Sequence, residues 1–122
     1  MAVRFVLDEN LRGPVWDAIQ AHNAQGSRLI DAVRVGDPSD LPLRTPDPDI
    51  LLWAQREVRV LITNDKSSMP GHLFDHIQAG HHSPGIFIPR SQSTIPELVS
   101  FLVIVAHTSD PAEWSDLITF IP

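Results

Sequence analysis

Val58-Arg59-Val60-Leu61-Ile62-Thr63 is the strongest strand signal in the chain, and Asn64-Asp65-Lys66 ends it abruptly. A compact apolar run bounded in this way reads as a strand buried on both faces. Val3-Arg4-Phe5-Val6-Leu7 has the same design and breaks into Asp8-Glu9-Asn10. Between the two lies room for helices, so the strands are joined by crossovers and run parallel.

The remaining segments alternate in the same way. Leu11, Val15, Ala18, Ile19 and His22 share one stripe and predict a helix from Leu11 to about His22, with Asn10 as its N-cap. Arg28 to Val35 reads as a strand, and Gly36 to Arg44 as a loop. Thr45 caps the next helix with Pro46 in its first position, and Ile50, Trp53, Ala54 and Val58 form its buried stripe. After a loop from Ser67 to Gly71, a short helix carries Leu73, Phe74 and Ile77 and stops at Gly80. Gly85 to Ile88 is a buried strand, Thr94-Ile95-Pro96-Glu97 a capping box, and Leu98 to about His107 a helix apolar almost all round. Leu117 to Ile121 closes the pattern as a last strand. The expected fold is a three-layer α/β/α domain around a mainly parallel sheet, a single domain over residues 1–122.

Composition narrows the function. The chain has 122 residues, nine Lys and Arg against fifteen Asp and Glu, a formal charge of −6, and no cysteine. Thiolate nucleophiles, disulfides and cysteine metal sites are excluded, and a cytoplasmic setting is expected. No apolar run reaches membrane-spanning length, and no signal-peptide layout opens the chain. An acidic chain offers RNA no broad basic face, so phosphate chemistry here calls for metal ions.

In a parallel sheet the working site lies outside the carboxyl ends of the strands. That rule selects Asp8-Glu9-Asn10 and Asn64-Asp65-Lys66. Asp47 and Asp49 open the helix that feeds the strand before Asp65. Each acid alone also fits a turn or a cap; gathered together they form an oxygen-only donor set suited to Mg²⁺ or Mn²⁺. His72 follows Asp65 closely enough to face the same point, and Arg12 and Lys66 flank it as phosphate contacts.

The order Phe5-Val6-Leu7-Asp8-Glu9-Asn10, Asp47-Pro48-Asp49-Ile50-Leu51, Val60-Leu61-Ile62-Thr63-Asn64-Asp65-Lys66 resembles the PIN-domain nucleases. It is most similar to a compact PIN-like group known only as a domain of unknown function, several members of which look like toxins of toxin–antitoxin pairs. The resemblance covers nearly the whole chain. It implies a metal-dependent endoribonuclease, with Asp8, Asp47 and Asp65 as catalytic metal ligands and Glu9 or Asp49 as additional ones. It further implies Mg²⁺ or Mn²⁺ as cofactor, RNA as substrate, with Asn10, Arg12, Lys66 and His72 as its contacts, and an antitoxin protein as partner. Two departures stand out. The separate glutamate of full-length PIN domains has no segment to carry it, and Ser67 stands where many relatives place a second acid.

Two other functions compete. A PIN fold kept only for binding a partner accounts for Ser67 and the missing glutamate. A phosphoacceptor receiver domain matches the acidic pair Asp8-Glu9, Asp65 and Met69-Pro70-Gly71, but Ile88-Pro89-Arg90 stands where its lysine belongs, and Lys66 is the one lysine in the chain. His72 and His76, with His81 and His82 close behind, have a helical ligand spacing but lack the glutamate of a zinc protease motif. The apolar helix Leu98 to His107 needs cover on several sides, which raises self-association or a partner protein as an expectation.

Overall fold

A computed structural model describes residues 2–122. Among the described residues five strands form one sheet: β1 (Phe5–Leu7), β2 (Ala32–Arg34), β3 (Val60–Ile62), β4 (Ile86–Pro89) and β5 (Ile118–Ile121). The order is β2-β1-β3-β4-β5, and every pairing is parallel. Four helices cover it: α1 (Pro14–Asn23), α2 (Asp47–Glu57), α3 (Met69–Gln78) and α4 (Ile95–Thr108).

The two faces follow from the period-two alternation of the strands. Phe5, Leu7, Val60, Ile62 and Phe87 face α1 and α4, where Ile19, Leu98, Leu102 and Val105 complete one core. Val6, Leu61, Ile86 and Ile88 face the other way, against Ile50, Leu51, Trp53, Met69 and Leu73 of α2 and α3. The three inner strands are therefore apolar at every position, while β2 at the edge is only half-buried. Phe87 is the aromatic hub, stacked edge-on against Trp114 at 5.1 Å and in contact with Phe5 and Phe101. Gly85, at φ +128°, lets the Trp114 backbone pass so closely that a Cβ there would meet its carbonyl oxygen at 2.6 Å.

Several boundaries differ from the sequence reading. Asn10 caps no helix: Asp8 caps a single 3₁₀ turn, Glu9–Leu11, and α1 starts only at Pro14. The residue with the acid at the strand end is the better cap because its carboxylate reaches the next N–H, at 2.7 Å. The segment Arg28–Val35 pairs only over Ala32–Arg34, since Arg28 takes a left-handed turn and Asn23 clamps Ile30 by both backbone groups at 2.8 Å. Thr45 and Pro46 each lie one position short of their expected roles: Pro46 is the N-cap and Asp47 the first helical residue. Val58 leaves the stripe altogether; it is exposed and left-handed, φ 55°, ending α2. The expected loop Ser67–Gly71 already contains the first turn of α3, because Pro70 suits that position. Of the three apolar residues named for that helix only Leu73 is buried, and Met69 replaces Phe74 and Ile77 in the core. At Thr94 the hydroxyl accepts from Glu97 N, and a reciprocal capping box forms instead at Asp110 and Glu113.

Helix α4 finds most of its cover within the chain. Leu98, Leu102, Val105 and Ala106 are buried, Phe101 and Val103 half-buried, and Ile104 is exposed. Among the described residues no helix is long and apolar enough to cross a membrane.

Candidate active site

The chain order of the sheet reverses between β1 and β3: one crossover runs outward to β2, and the next returns past β1 to β3. The crevice of a doubly wound sheet opens at such a switch point, beyond the carboxyl ends of the two strands. Asp8 follows β1 there, and Thr63, Asn64 and Asp65 follow β3.

Three bonds join these strand ends. Asp8 N donates to Ile62 O at 2.9 Å, continuing the ladder. The Thr63 hydroxyl, fully buried, donates to Asp8 Oδ2 at 2.8 Å and accepts from Asp65 N at 3.1 Å. Asn64 N donates to Asn10 Oδ1 at 3.3 Å. Asp8 is 8 % exposed, so its carboxylate is fixed by the Glu9 N–H and the Thr63 hydroxyl more than by water. The motif residue Thr63 carries a role the sequence reading left out. A threonine ending a buried apolar run needs a partner for its hydroxyl, and that need was the available signal.

Asp47 enters from the first turn of α2, and His72 from the first turn of α3, with His72 Nε2 3.5 Å from Asp47 Oδ2. Burial raises the Asp47 carboxyl above its ordinary value; the charge of Asp8 adds to this, His72 opposes it, and Asp65 adds further. The charges of Asp8 and Asp65 thus reach Asp47, as an effect secondary to burial.

Asp65 is turned largely toward its own loop. Its carboxylate accepts from Ser67 N at 3.1 Å, from Ser68 N at 2.9 Å and from the Ser68 hydroxyl. The two Ser68 bonds, with Ser67 N and His72 behind them, hold its pKa below the ordinary value against the opposing effect of burial. Ser67 is here a donor to Asp65.

The other candidates are dispersed around this centre. Glu9 accepts from Arg44 N and so braces the loop before α2. Asp49 is exposed, two positions along α2 from Asp47 and hence on another side of the helix. Arg12 donates to Val35 O at 2.5 Å and pairs with Asp37 at 3.6 Å, packing its Nη1 over Gly36. Lys66 is exposed and borders a separate cavity.

The donor chemistry fits a hard cation at its core. Among the described residues no three Asp, Glu or His side chains stand ready to ligate one ion together. Mg²⁺ needs fewer, since one or two carboxylates, waters and substrate phosphate usually complete its shell. Asp8 and Asp47 are the candidates for that pair. No family model matches the chain, and no curated protein or solved structure does.

Proposed function

We propose that the chain is a metal-dependent endoribonuclease of PIN-like type. One observation carries the reading: Asp8 and Asp65 end β1 and β3 at the switch crevice and meet through the Thr63 hydroxyl. Asp47 carries its charge at a cost, first from burial and then from the charges of Asp8 and Asp65, and a cation relieves it. Asp8 and Asp47 would hold Mg²⁺ or Mn²⁺, and Asp65 would join by releasing the Ser68 hydroxyl. When bound, the ion supplies positive charge for a phosphate and acidity for a water.

The remaining chemistry belongs to the chain. Thr63 fixes the Asp8 carboxylate by occupying one oxygen, so its orientation is set before substrate arrives. His72 holds Asp47 from the other side and offers a proton at Nε2 for the oxygen that leaves phosphorus. Asn10 ties the two strand-end loops and would contact a ribose or phosphate there. RNA is the substrate class, the cytoplasm the setting, and an antitoxin protein the partner that the family resemblance suggests. A receiver function is disfavoured because Asp65 is engaged by Ser67 and Ser68 and Arg90 follows β4 in place of a lysine.

The test is cleavage of mixed RNAs in Mn²⁺, Mg²⁺ or chelator by wild type, Asp8→Asn and Asp47→Asn. Cleavage should need metal and fall at least about a hundredfold in each variant. Equal cleavage by all three proteins overturns the reading. No cleavage, with no Asp8-dependent Mn²⁺ binding, favours the silent interaction domain.

A further inference from the structure

We infer that a second cavity, on the α1–α4 side of the same sheet edge, binds a nucleoside monophosphate unit. Its volume is about 410 Å³, within the range of small-molecule sites. It lies between the loop after β3, the loop after β4 and the start of α4.

The lining divides into two parts. Leu11, Val15, Ile95 and Leu98 give an apolar part; Lys66 and Arg90 give a cationic one. None of the fifteen acidic residues lines it, although the chain carries six more acids than bases. The cations themselves are unengaged. Arg4, Arg12, Arg34, Arg56 and Arg59 each bond a carbonyl or a carboxylate of the chain. Lys66 and Arg90 form no ion pair among the described residues.

Arg90 is also held in place. Its N–H donates to Ile121 O at 2.9 Å, and Ser93 N returns to Arg90 O at 3.0 Å. The loop thus presents the guanidinium from a braced backbone. A phosphate anion fits two cations, and a flat, weakly polar ring fits the aliphatic wall; a nucleotide unit combines both at this size. The unit can be a free nucleotide or one residue of an RNA strand. The inference does not depend on the acidic cluster, which sits around Asp8 and Asp47.

Calorimetric titration of the full chain in EDTA tests it, with nucleoside 5′-monophosphates, nucleosides, inorganic phosphate and a dinucleoside monophosphate as probes. A monophosphate should bind with Kd below about 1 mM, and nucleoside and inorganic phosphate each at least about tenfold more weakly. Lys66→Ala and Arg90→Ala should each weaken the monophosphate by about tenfold with the melting temperature unchanged, since both side chains are exposed. Val15→Trp, which fills the apolar part, should abolish nucleotide binding, with the circular dichroism spectrum showing a folded chain. A dinucleoside monophosphate binding more tightly than the mononucleotide assigns the cavity to a strand, and more weakly to a free nucleotide. Asp47→Asn should bind as wild type does, so failure of RNA cleavage and failure of this inference are separate results. No monophosphate binding up to about 10 mM, equal binding by the Lys66→Ala/Arg90→Ala double variant, or equal affinity for inorganic phosphate overturns it.

Discussion

The Thr63 hydroxyl stands 2.8 Å from Asp8 Oδ2, and through this one bond the carboxyl end of β3 sets the direction of the acid that ends β1. The same oxygen receives the Asp65 N–H, so the two strand-end acids share a single hinge atom.

Removing that atom has a defined cost. Thr63→Val keeps the shape but leaves a buried carboxylate short of a donor. We expect a loss of about 1–3 kcal/mol, measured by urea unfolding. Thr63→Ser keeps the hydroxyl and should lose less than half as much. A larger loss in Thr63→Ser than in Thr63→Val would mean that the methyl group, and not the bond, matters.

Asp47 gives a pH signature of the opposite kind. Its folded pKa lies above the unfolded one, so between the two the native state holds more protons and stability falls as pH rises. Asp47→Asn should therefore be more stable than wild type at neutral pH, by under about 1 kcal/mol because a partly solvated charge is screened. The difference should vanish below about pH 3, where both states of the wild type are protonated. Thermal melts across pH check this, and a less stable variant at neutral pH contradicts it.

For Asp65 the sign reverses. Its folded pKa is depressed, so its contribution is present above the ordinary carboxyl value and is lost as pH falls through the folded one. Asp65→Ala removes the acceptor for Ser67 N and Ser68 N at the start of α3 and should cost about 1 kcal/mol at neutral pH, as loss of a helix cap does. Amide exchange at Ser67 and Ser68 should speed up, and the gap to wild type should close in acid.

Val58 is the most improvable residue. It is β-branched, exposed and left-handed, a combination that costs about 1–2 kcal/mol in backbone strain. Val58→Gly relieves the strain while adding freedom to the unfolded chain, so a net gain of about 0.5 kcal/mol is expected in chemical denaturation. A loss would show that the valine side chain packs usefully at the end of α2.

Much of the architecture was legible. Phe5-Val6-Leu7, Val60-Leu61-Ile62 and Ile86-Phe87-Ile88 are apolar at every position because both faces are covered, and that pattern is readable without coordinates. The edges were harder: β2 is held to three residues by a turn at Arg28 that no apolar pattern encodes. Asp8 and Asp65 were legible through the strand-end rule, and the Thr63 hydroxyl joins them at the switch point. What the chain does with Arg12, Glu9 and Asp65 was not, because each finds a backbone partner from a distant or neighbouring loop. Arg59 shows the same limit. It sits inside the strand signal itself, yet its guanidinium is buried, bonding Phe5 O at 3.0 Å and Asp31 at 2.8 Å.

The sheet has a kinetic consequence. It contains no hairpin: Phe5 pairs with Ala32 and with Val60, and Ile86 with Leu61 and with Ile118, each across a whole helix. No strand pair can zip from a tight turn, so every ladder closes a long loop before any contact rewards it. Folding must wait for helices to form and dock, and β1, wanted by partners from two distant segments, cannot be completed until the chain has been made through β3. A ribosome that pauses before Ile62 therefore holds an open sheet with Phe5, Val6 and Leu7 exposed along one edge.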